Sequence, residues 1–170
     1  MWIQVKVRLN ELLIGLKLKG KVLHENTVPL PPKVFYEIYG EWGEYTSEEY
    51  FIEIAKSIYK LFMGEKIENL PRYRVIPKLE ILKRIPCGKV VTYKQLGIKL
   101  GMHPRTVAKI LSQNPLPLIY PCHRVVNSNL WVGGYLGSKK YWKIKAKILL
   151  REGVRVNKMG YIDPKDIYSF

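Results

Sequence analysis

The segment VTYKQLGIKLGMHPRTVAKILSQNP, residues 91–115, contains the patterns of two short helices in close succession. Thr92 and Gln95 have the spacing of a capping box, which marks the start of the first helix. Gly101 supplies a turn, and Pro104 suits the first position of the second helix. Two helices joined by a tight glycine turn are typical of a helix-turn-helix, although many helical hairpins bind nothing.

The positive charge of the chain is concentrated in the half that contains this segment. The chain has 29 Lys and Arg against 14 Asp and Glu, a net charge of +15. Residues 1–77 hold 11 basic and 10 acidic side chains, whereas residues 78–170 hold 18 and 4. Heat-adapted proteins also have many surface lysines, but they enrich glutamate alongside them. The scarcity of acids therefore favours a polyanionic partner for the second half.

The first half has the pattern of a small sheet with one helix. Residues 2–9 and 14–18 alternate apolar and polar side chains, which predicts half-buried strands. Three prolines then break the chain: Pro29, Pro31 and Pro32. Thr46 and Glu49 have capping-box spacing, which predicts a helix that ends at Gly64. Its apolar side chains recur on one face: Phe51, Ile54, Ala55, Ile58 and Phe62.

Loop-like residues before position 78 predict a domain boundary. It separates an N-terminal α/β domain of residues 1–77 from a C-terminal domain of residues 78–170. We expect a short amphipathic helix over residues 79–85, a hairpin with its turn at residues 127–129, and a helix over residues 138–152. The predicted fold class is α+β with two domains. A small sheet with a covering helix is followed by a helical, winged helix-turn-helix domain.

The composition is that of a globular protein, which we expect in the cytoplasm. No apolar run approaches the roughly 20 residues that a membrane span requires, and the N-terminus lacks the pattern of a signal peptide. The two cysteines, Cys87 and Cys122, are too few for a disulfide scaffold and lack metal-ligand spacing. We therefore expect free thiols, no metal and no other cofactor, with a structural role for Cys87. A monomer is the default expectation.

Cys122 is followed directly by His123 and Arg124 in the segment PLPLIYPCHRVV. A thiol becomes a good nucleophile when it loses its proton, and a nearby imidazole can accept that proton. A carboxylate can in turn orient the imidazole. Adjacent side chains on an extended strand point to opposite faces, so a link between Cys122 and His123 requires a bridging water or a local bend. By chemistry alone, the pair fits catalysis and an ordinary buried thiol equally well.

Several motifs in residues 85–154 resemble those of the O6-alkylguanine-DNA alkyltransferases. PCHRV at residues 121–125 is similar to the active-site signature of that family. Asn114 and Pro115 precede it and GGY at residues 133–135 follows it, together with GKVVTYKQL, PRTVAKILSQNP and LLREG. The resemblance implies DNA repair, in which an alkyl group moves irreversibly from O6-alkylguanine to a protein cysteine. The first half is similar only in coarse architecture.

The resemblance also implies roles for individual residues. The nucleophile is Cys122, and His123 is the base that acts on it through a water molecule. Glu152 orients His123, and Asn114 organises the site. Tyr93 lies in the guanine pocket, crowds a phosphate and can protonate the guanine as it leaves.

Other residues are implied to contact DNA. The target base must leave the duplex, at a cost of roughly a few kcal/mol, and Arg105 is the finger that fills the gap. The second helix enters the minor groove of double-stranded DNA, where the small side chains of Thr106 and Ala108 permit close approach. The remaining expected contacts to DNA or to the flipped base are Tyr135, Leu136, Gly137 and Arg124.

The chain departs from the family pattern in several places. Lys109 stands where a small residue is common, and His103 stands where a Ser or Asn helix cap is more usual. Leu136 replaces a common polar residue, although its backbone N–H can still contact the flipped base. Residues 154–170 extend past the usual end of the family and have no assigned role. Some relatives carry zinc in the first domain, but this chain has only His24 there, so we expect none.

Two other functions compete with alkyl transfer. A non-catalytic module that binds alkylated DNA would keep the helix-turn-helix but replace the cysteine, and the presence of Cys122 argues against it. A Cys-His-Glu hydrolase unrelated to DNA would use the same three side chain types. The uneven charge and the helix-turn-helix pattern argue against that function.

Overall fold

The computed structural model describes all 170 residues, which divide into two compact units. The first unit comprises Met1–Ile76 together with Pro115–Ile119, and the second comprises Pro77–Asn114 together with Tyr120–Phe170. The α+β class is confirmed. The boundary between independently folding domains after residue 77 stays a prediction.

The first unit is built on a four-stranded sheet in the order β3-β2-β1-β4. Its strands are β1 (Trp2–Leu9), β2 (Leu12–Lys19), β3 (Val22–Asn26) and β4 (Glu44–Tyr45). β1 and β3 run antiparallel to β2, and β4 runs parallel to β1. The alternation predicted for β1 is present, but β2 is buried along most of its length because helices of this unit also pack on it.

Two helices cover this sheet, and the sequence predicted only one of them. α1 (Pro32–Tyr39) begins within the proline cluster that we expected only to break the chain. Pro32 occupies the first helical position, where its fixed φ angle and missing N–H cost nothing. A proline cluster can therefore begin a helix as well as end one.

The predicted second helix is confirmed as α2 (Glu49–Phe62), and its apolar face is buried as expected. The predicted capping box is wrong. Glu48 is the N-cap and makes no side-chain cap hydrogen bond, while the Thr46 hydroxyl accepts the Glu48 N–H at 3.2 Å. The threonine thus forms a local turn before the helix instead of capping it.

The second unit places helices around a short parallel sheet. Its elements are a 3-10 helix at Pro77–Arg84, β5 (Val91–Thr92), α3 (Tyr93–Leu100), α4 (Pro104–Ser112), β6 (Val125–Val126) and α5 (Trp142–Arg151). β5 pairs in parallel with β6. The core of this unit is formed by Val90, Val126, Val132, Ala146, Leu149, Val154 and Ile162.

Three local predictions for this unit need correction. The helix expected over residues 79–85 is a 3-10 helix, and the one expected from residue 138 starts as a 3-10 turn at Lys139–Tyr141, where the Ser138 hydroxyl accepts the Lys140 N–H. The turn expected at residues 127–129 exists, but its flanks form no hairpin. β6 pairs with β5 instead, and Trp131 bridges to Tyr161 near the C-terminus.

Candidate active site in the second unit

The predicted helix-turn-helix consists of α3 and α4. The capping box is confirmed, because the Gln95 N–H donates to the Thr92 hydroxyl at 3.1 Å and the Thr92 N–H donates to Gln95 Oε1 at 2.8 Å. Gly101 ends α3 with φ of 65°, a left-handed conformation that glycine adopts without strain. The chain then turns directly into α4.

α4 presents its first turn to solvent. His103 is its N-cap and accepts the Arg105 N–H on Nδ1 at 3.1 Å, so histidine takes the place of the more usual Ser or Asn. Arg105 and Thr106 are exposed and Ala108 is half-buried, while Val107 is buried in the unit. The side chains expected to meet DNA therefore lie on the outer face of this helix, as does Lys109.

The Cys-His-Arg sequence forms a single 3-10 turn, Cys122–Arg124, and not an extended strand. The Cys122 N–H donates to Tyr120 O at 2.7 Å, and the Arg124 N–H donates to Pro121 O at 3.1 Å. This turn is the local bend that the sequence analysis required, since successive side chains no longer point to opposite faces. Cys122 is half-buried, whereas His123 is only 1% exposed.

A buried carboxylate joins the two residues that follow the cysteine. Glu152 is the C-cap of α5, and its Oε1 lies 2.7 Å from Nε2 of His123. Arg124 donates to both of its oxygens at 2.9 Å and to Ile85 O at 2.8 Å. Burial opposes ionisation of Glu152, but its two basic partners together lower its pKa to about 2. Glu152 is therefore ionised at neutral pH.

His123 is poised as a neutral base. Burial lowers the pKa of its imidazole, against the opposing effect of Glu152. The ionised Glu152 accepts a hydrogen bond from the Nε2–H of the ring, so the proton of the neutral imidazole stays on Nε2 and the free lone pair is on Nδ1. Nδ1 is buried and has no hydrogen-bond partner among the protein atoms. A ring nitrogen in this state can accept a proton from a group that reaches it directly or through water.

The Cys122 thiol is held in a neutral resting state. Burial raises its pKa above the ordinary value, and the side-chain hydrogen bond from Asn114 and the positive charge of Lys145 only partly offset this. Asn114 is fixed in turn, because its Nδ2 donates to Tyr120 O at 2.9 Å. Because the resting thiol is neutral, Cys122 needs a nearby group that removes its proton before it can act as a nucleophile.

Lys145 is a site residue that the sequence analysis missed. It is 1% exposed, donates from Nζ to Val125 O at 2.7 Å, and lies 5.7 Å from the centre of the Tyr93 ring. Burial lowers its pKa to about 8, so it keeps its charge at neutral pH. A signal was present in the sequence, because Lys145 lies three and four residues before the apolar Ile148 and Leu149, on the core face of α5.

The tyrosines and the turn expected near the guanine are in the same unit. Burial, and then the proximity of Cys122, raises the pKa of Tyr93 to about 12, so its hydroxyl keeps its proton. Tyr135 is 6% exposed and starts a tight turn that closes with hydrogen bonds to Ser138. Leu136 and Gly137 are its central residues, with φ of 51° and 82°, the signs of a type I′ turn.

The second cysteine, Cys87, lies against the backbone of Glu152. The Cys87 thiol lies 3.9 Å from Glu152 O, with the geometry of a weak donor to a backbone carbonyl. No group of three or more His, Cys, Asp or Glu side chains is placed to hold a metal ion. The helices include none with the length and apolar character to cross a membrane.

The part of the chain that contains these residues is similar to a known protein family. Residues 77–154 match the family model described as 6-O-methylguanine DNA methyltransferase, DNA binding domain. The chain is 36% identical over 167 residues to the methylated-DNA–protein-cysteine methyltransferase of Methanocaldococcus jannaschii, across 91% of this chain and 95% of the relative. The chain belongs to the methylated-DNA–protein-cysteine methyltransferase family.

The chain is also similar to other proteins and solved structures of this family. The corresponding protein of Saccharolobus islandicus is 38% identical over 122 residues, across 67% of this chain and 77% of the relative. The solved structure of an O6-methylguanine DNA methyltransferase from Methanococcus jannaschii has a TM-score of 0.65 and 32% identity, covering 90% of this chain and 95% of that one. The family domain at residues 77–154 contains every predicted site residue, and the residues after it lie outside.

Proposed function

We propose that this methyltransferase repairs double-stranded DNA by transferring an alkyl group from O6-alkylguanine to Cys122, which keeps it. One observation carries the proposal. Within a helix-turn-helix unit, the thiol is followed in sequence by a neutral imidazole. Its Nε2 is hydrogen-bonded to an ionised carboxylate, and its Nδ1 has no protein partner. This is the arrangement that activates a nucleophile by removing its proton.

The proton of Cys122 is transferred as the sulfur attacks. His123 accepts it on Nδ1, through a water molecule, and becomes an imidazolium. Glu152 stabilises that charge across the 2.7 Å contact with Nε2. Arg124 holds both carboxylate oxygens, so Glu152 cannot turn away from the ring. We therefore assign Arg124 to the positioning of Glu152, although the sequence analysis placed it among the DNA contacts.

Lys145 and Asn114 stabilise the charge that develops on sulfur. Both lower the pKa of Cys122 against the effect of burial. A fixed positive charge and a fixed amide donor in a buried site stabilise a thiolate without reorganising at the moment of reaction. Their contribution grows as the sulfur loses its proton, which is when the transition state needs it.

The leaving group departs with a proton. As the sulfur forms a bond to the alkyl carbon, the bond from that carbon to O6 breaks, and the electron pair stays on the guanine. Tyr93, whose pKa is about 12, keeps a proton to donate to that guanine. The product is an unmodified guanine and a thioether on Cys122. A thioether offers no good leaving group, so each protein molecule reacts once.

The outer face of α4 is proposed to contact the DNA. Arg105 is exposed at the first turn of this helix, where it can enter the base stack as the target nucleotide turns out. Thr106 and Ala108 are small enough for close approach in the minor groove. Tyr135 and the turn at Leu136 and Gly137 would border the pocket for the flipped base. The excess of basic side chains in residues 78–170 would neutralise phosphates.

Labelled DNA tests this function directly. A duplex oligonucleotide with one radiolabelled O6-methylguanine is incubated with the protein, with C122A and with C87A. We expect one label per protein molecule for the wild type and for C87A, and none for C122A. Binding without transfer by the wild type would support the non-catalytic DNA-binding alternative instead.

We place the reaction in the cytoplasm, where a thiol stays reduced, and take a monomer as the active form.

A further inference from the structure

The last sixteen residues, 155–170, lie beyond the matched family domain but belong to the second unit. Their backbone extends the parallel sheet of that unit. The Val90 N–H donates to Asp166 O at 3.0 Å, and the Tyr168 N–H donates to Val90 O at 2.7 Å. Ile167 forms a parallel bridge with Val90, the residue immediately before β5. Residues Asp166–Tyr168 thus add one parallel bridge to the sheet next to β5, and we call them the C-terminal strand.

This segment is anchored by an ion pair between a buried carboxylate, Asp166, and an exposed guanidinium, Arg155. Asp166 is 5% exposed and accepts hydrogen bonds from the Arg155 guanidinium at 2.7 and 3.1 Å and from the Arg155 N–H at 2.8 Å. These bonds lower the pKa of Asp166 to about 2. At the far end, the Phe170 ring lies 5.7 Å from the Arg84 guanidinium. Both ends of the C-terminal strand are therefore held.

The segment is also joined to the start of α3 by one side chain. Gln95 accepts the Thr92 N–H on Oε1 at 2.8 Å and donates from Nε2 to Tyr168 O at 3.0 Å. Tyr93 lies between Thr92 and Gln95 and is the first residue of α3. The capping box that fixes Tyr93 thus shares its glutamine with the C-terminal strand.

We infer that the C-terminal strand is a positioning element for alkyl transfer, and that it acts through Tyr93. This inference depends on the proposed function. The strand fixes Val90 from one side and Gln95 from the other, so the backbone that carries the Tyr93 hydroxyl has bonds on both flanks. The hydroxyl must meet the departing guanine as the bond to O6 breaks, and small displacements of a reacting group reduce rates strongly.

The substitution Q95E isolates the link to the strand. A glutamate at this position still accepts the Thr92 N–H, so the capping box is retained, but it has no N–H to donate to Tyr168 O. We expect the alkyl-transfer rate on O6-methylguanine duplex DNA to fall by roughly threefold to tenfold, since Tyr93 is less well placed. The melting temperature is measured on the same samples.

A truncation removes the link from the other side. A chain that ends at Ile167 loses both Tyr168 hydrogen bonds, whereas F170A keeps them and loses only the ring over Arg84. We expect the truncated chain to lose rate as Q95E does, and F170A to react within about twofold of the wild type. If the truncated chain does not fold, Q95E and F170A still give the comparison.

The mechanism through Tyr93 is tested by repeating Q95E in a Y93F background. We expect the loss caused by Q95E to disappear there, because the group that it displaces is gone. An equal loss in both backgrounds, or a lowered melting temperature with an unchanged rate, would overturn the inference and leave the strand a purely stabilising role. A wild type that transfers no label refutes the proposed function itself, which separates the two failures.

Discussion

Each unit of the protein buries one lysine, and the two surroundings differ in one respect. Lys6 in β1 donates to Gly43 O at 2.8 Å and lies 4.6 Å from the centre of the Tyr45 ring. Lys145 in α5 has the same kinds of neighbour, a carbonyl at 2.7 Å and a tyrosine ring at 5.7 Å, but it also faces the Cys122 thiol. The neighbouring thiol, and not burial alone, is therefore the reason that we propose a functional role for Lys145 and a structural one for Lys6.

The largest effect on the alkyl-transfer rate should come from Glu152, the carboxylate that contacts His123. We expect E152Q to lower the alkyl-transfer rate by roughly a hundredfold, because a neutral amide no longer stabilises the His123 imidazolium. The rate is measured with O6-methylguanine duplex DNA in excess. E53Q, which changes an exposed carboxylate paired with Lys56 in the first unit, is the matched control and should react as the wild type does. A near-normal rate for E152Q would remove Glu152 from the mechanism.

An exposed cation should affect only the reaction on duplex DNA. In the proposed function Arg105 offsets part of the cost of base flipping, and a loss of about 2 kcal/mol corresponds to a rate lower by roughly thirtyfold. We expect R105A to show this loss on duplex DNA and to react normally with a free O6-alkylguanine base. Parallel assays on the two substrates measure the difference, and equal losses on both would exclude the finger role.

The two buried lysines can be compared directly by substitution. We expect K145M to lower the alkyl-transfer rate by roughly tenfold at neutral pH, because the developing thiolate loses a fixed positive charge. The loss should shrink above pH 8, since Lys145 in the wild type gives up its own proton at a pKa of about 8. Rates are compared across the neutral and alkaline range.

K6M is the control for that experiment. It removes the buried lysine of the first unit, which faces no thiol, so the alkyl-transfer rate should stay within about twofold of the wild type. The melting temperature is followed in both variants to separate folding from chemistry. Equal rate losses in K6M and K145M would mean that burial, and not the thiol, decides the effect.

The smallest expected effect is on acid stability. The pKa of Glu152 falls on folding from 4.5 to about 2, so its contribution to stability is complete above pH 4.5 and is lost as the pH falls towards 2. The melting temperature of the wild type should therefore fall over this window more than that of E152Q. K6M should keep the acid dependence of the wild type. Identical curves for E152Q and the wild type would contradict the ionised carboxylate.

Local sequence signals predicted the parts of the site that depend on short-range bonds. The capping box at Thr92 and Gln95, the turn at Gly101 and the helix start at Pro104 all follow from contacts within a few residues. The family resemblance predicted that Glu152 orients His123, and the two side chains are in contact at 2.7 Å in the structure.

Other features depend on partners that are distant in sequence, and these were missed. The prediction of a hairpin after Cys122 was wrong, because the two segments that flank the turn pair with other parts of the chain. β6 pairs with β5, and Trp131 bridges to Tyr161. The spacing of Lys145 from Ile148 and Leu149 indicated the core face of α5, but its partners, Val125 and Cys122, lie more than a helix turn away in sequence and gave no local signal. The C-terminal strand had no recognisable pattern because its bonds are mostly backbone bonds to residues about 75 positions earlier.

The central claim is that the alkyl group ends on one sulfur atom and stays there. The most direct test is the mass of the intact protein, and of its peptides, after reaction with excess O6-methylguanine duplex DNA. We predict a gain of one CH₂ per protein molecule, located on the peptide that contains Cys122, with no further gain as the incubation is extended. An unchanged mass together with repeated conversion of the DNA would contradict the claim.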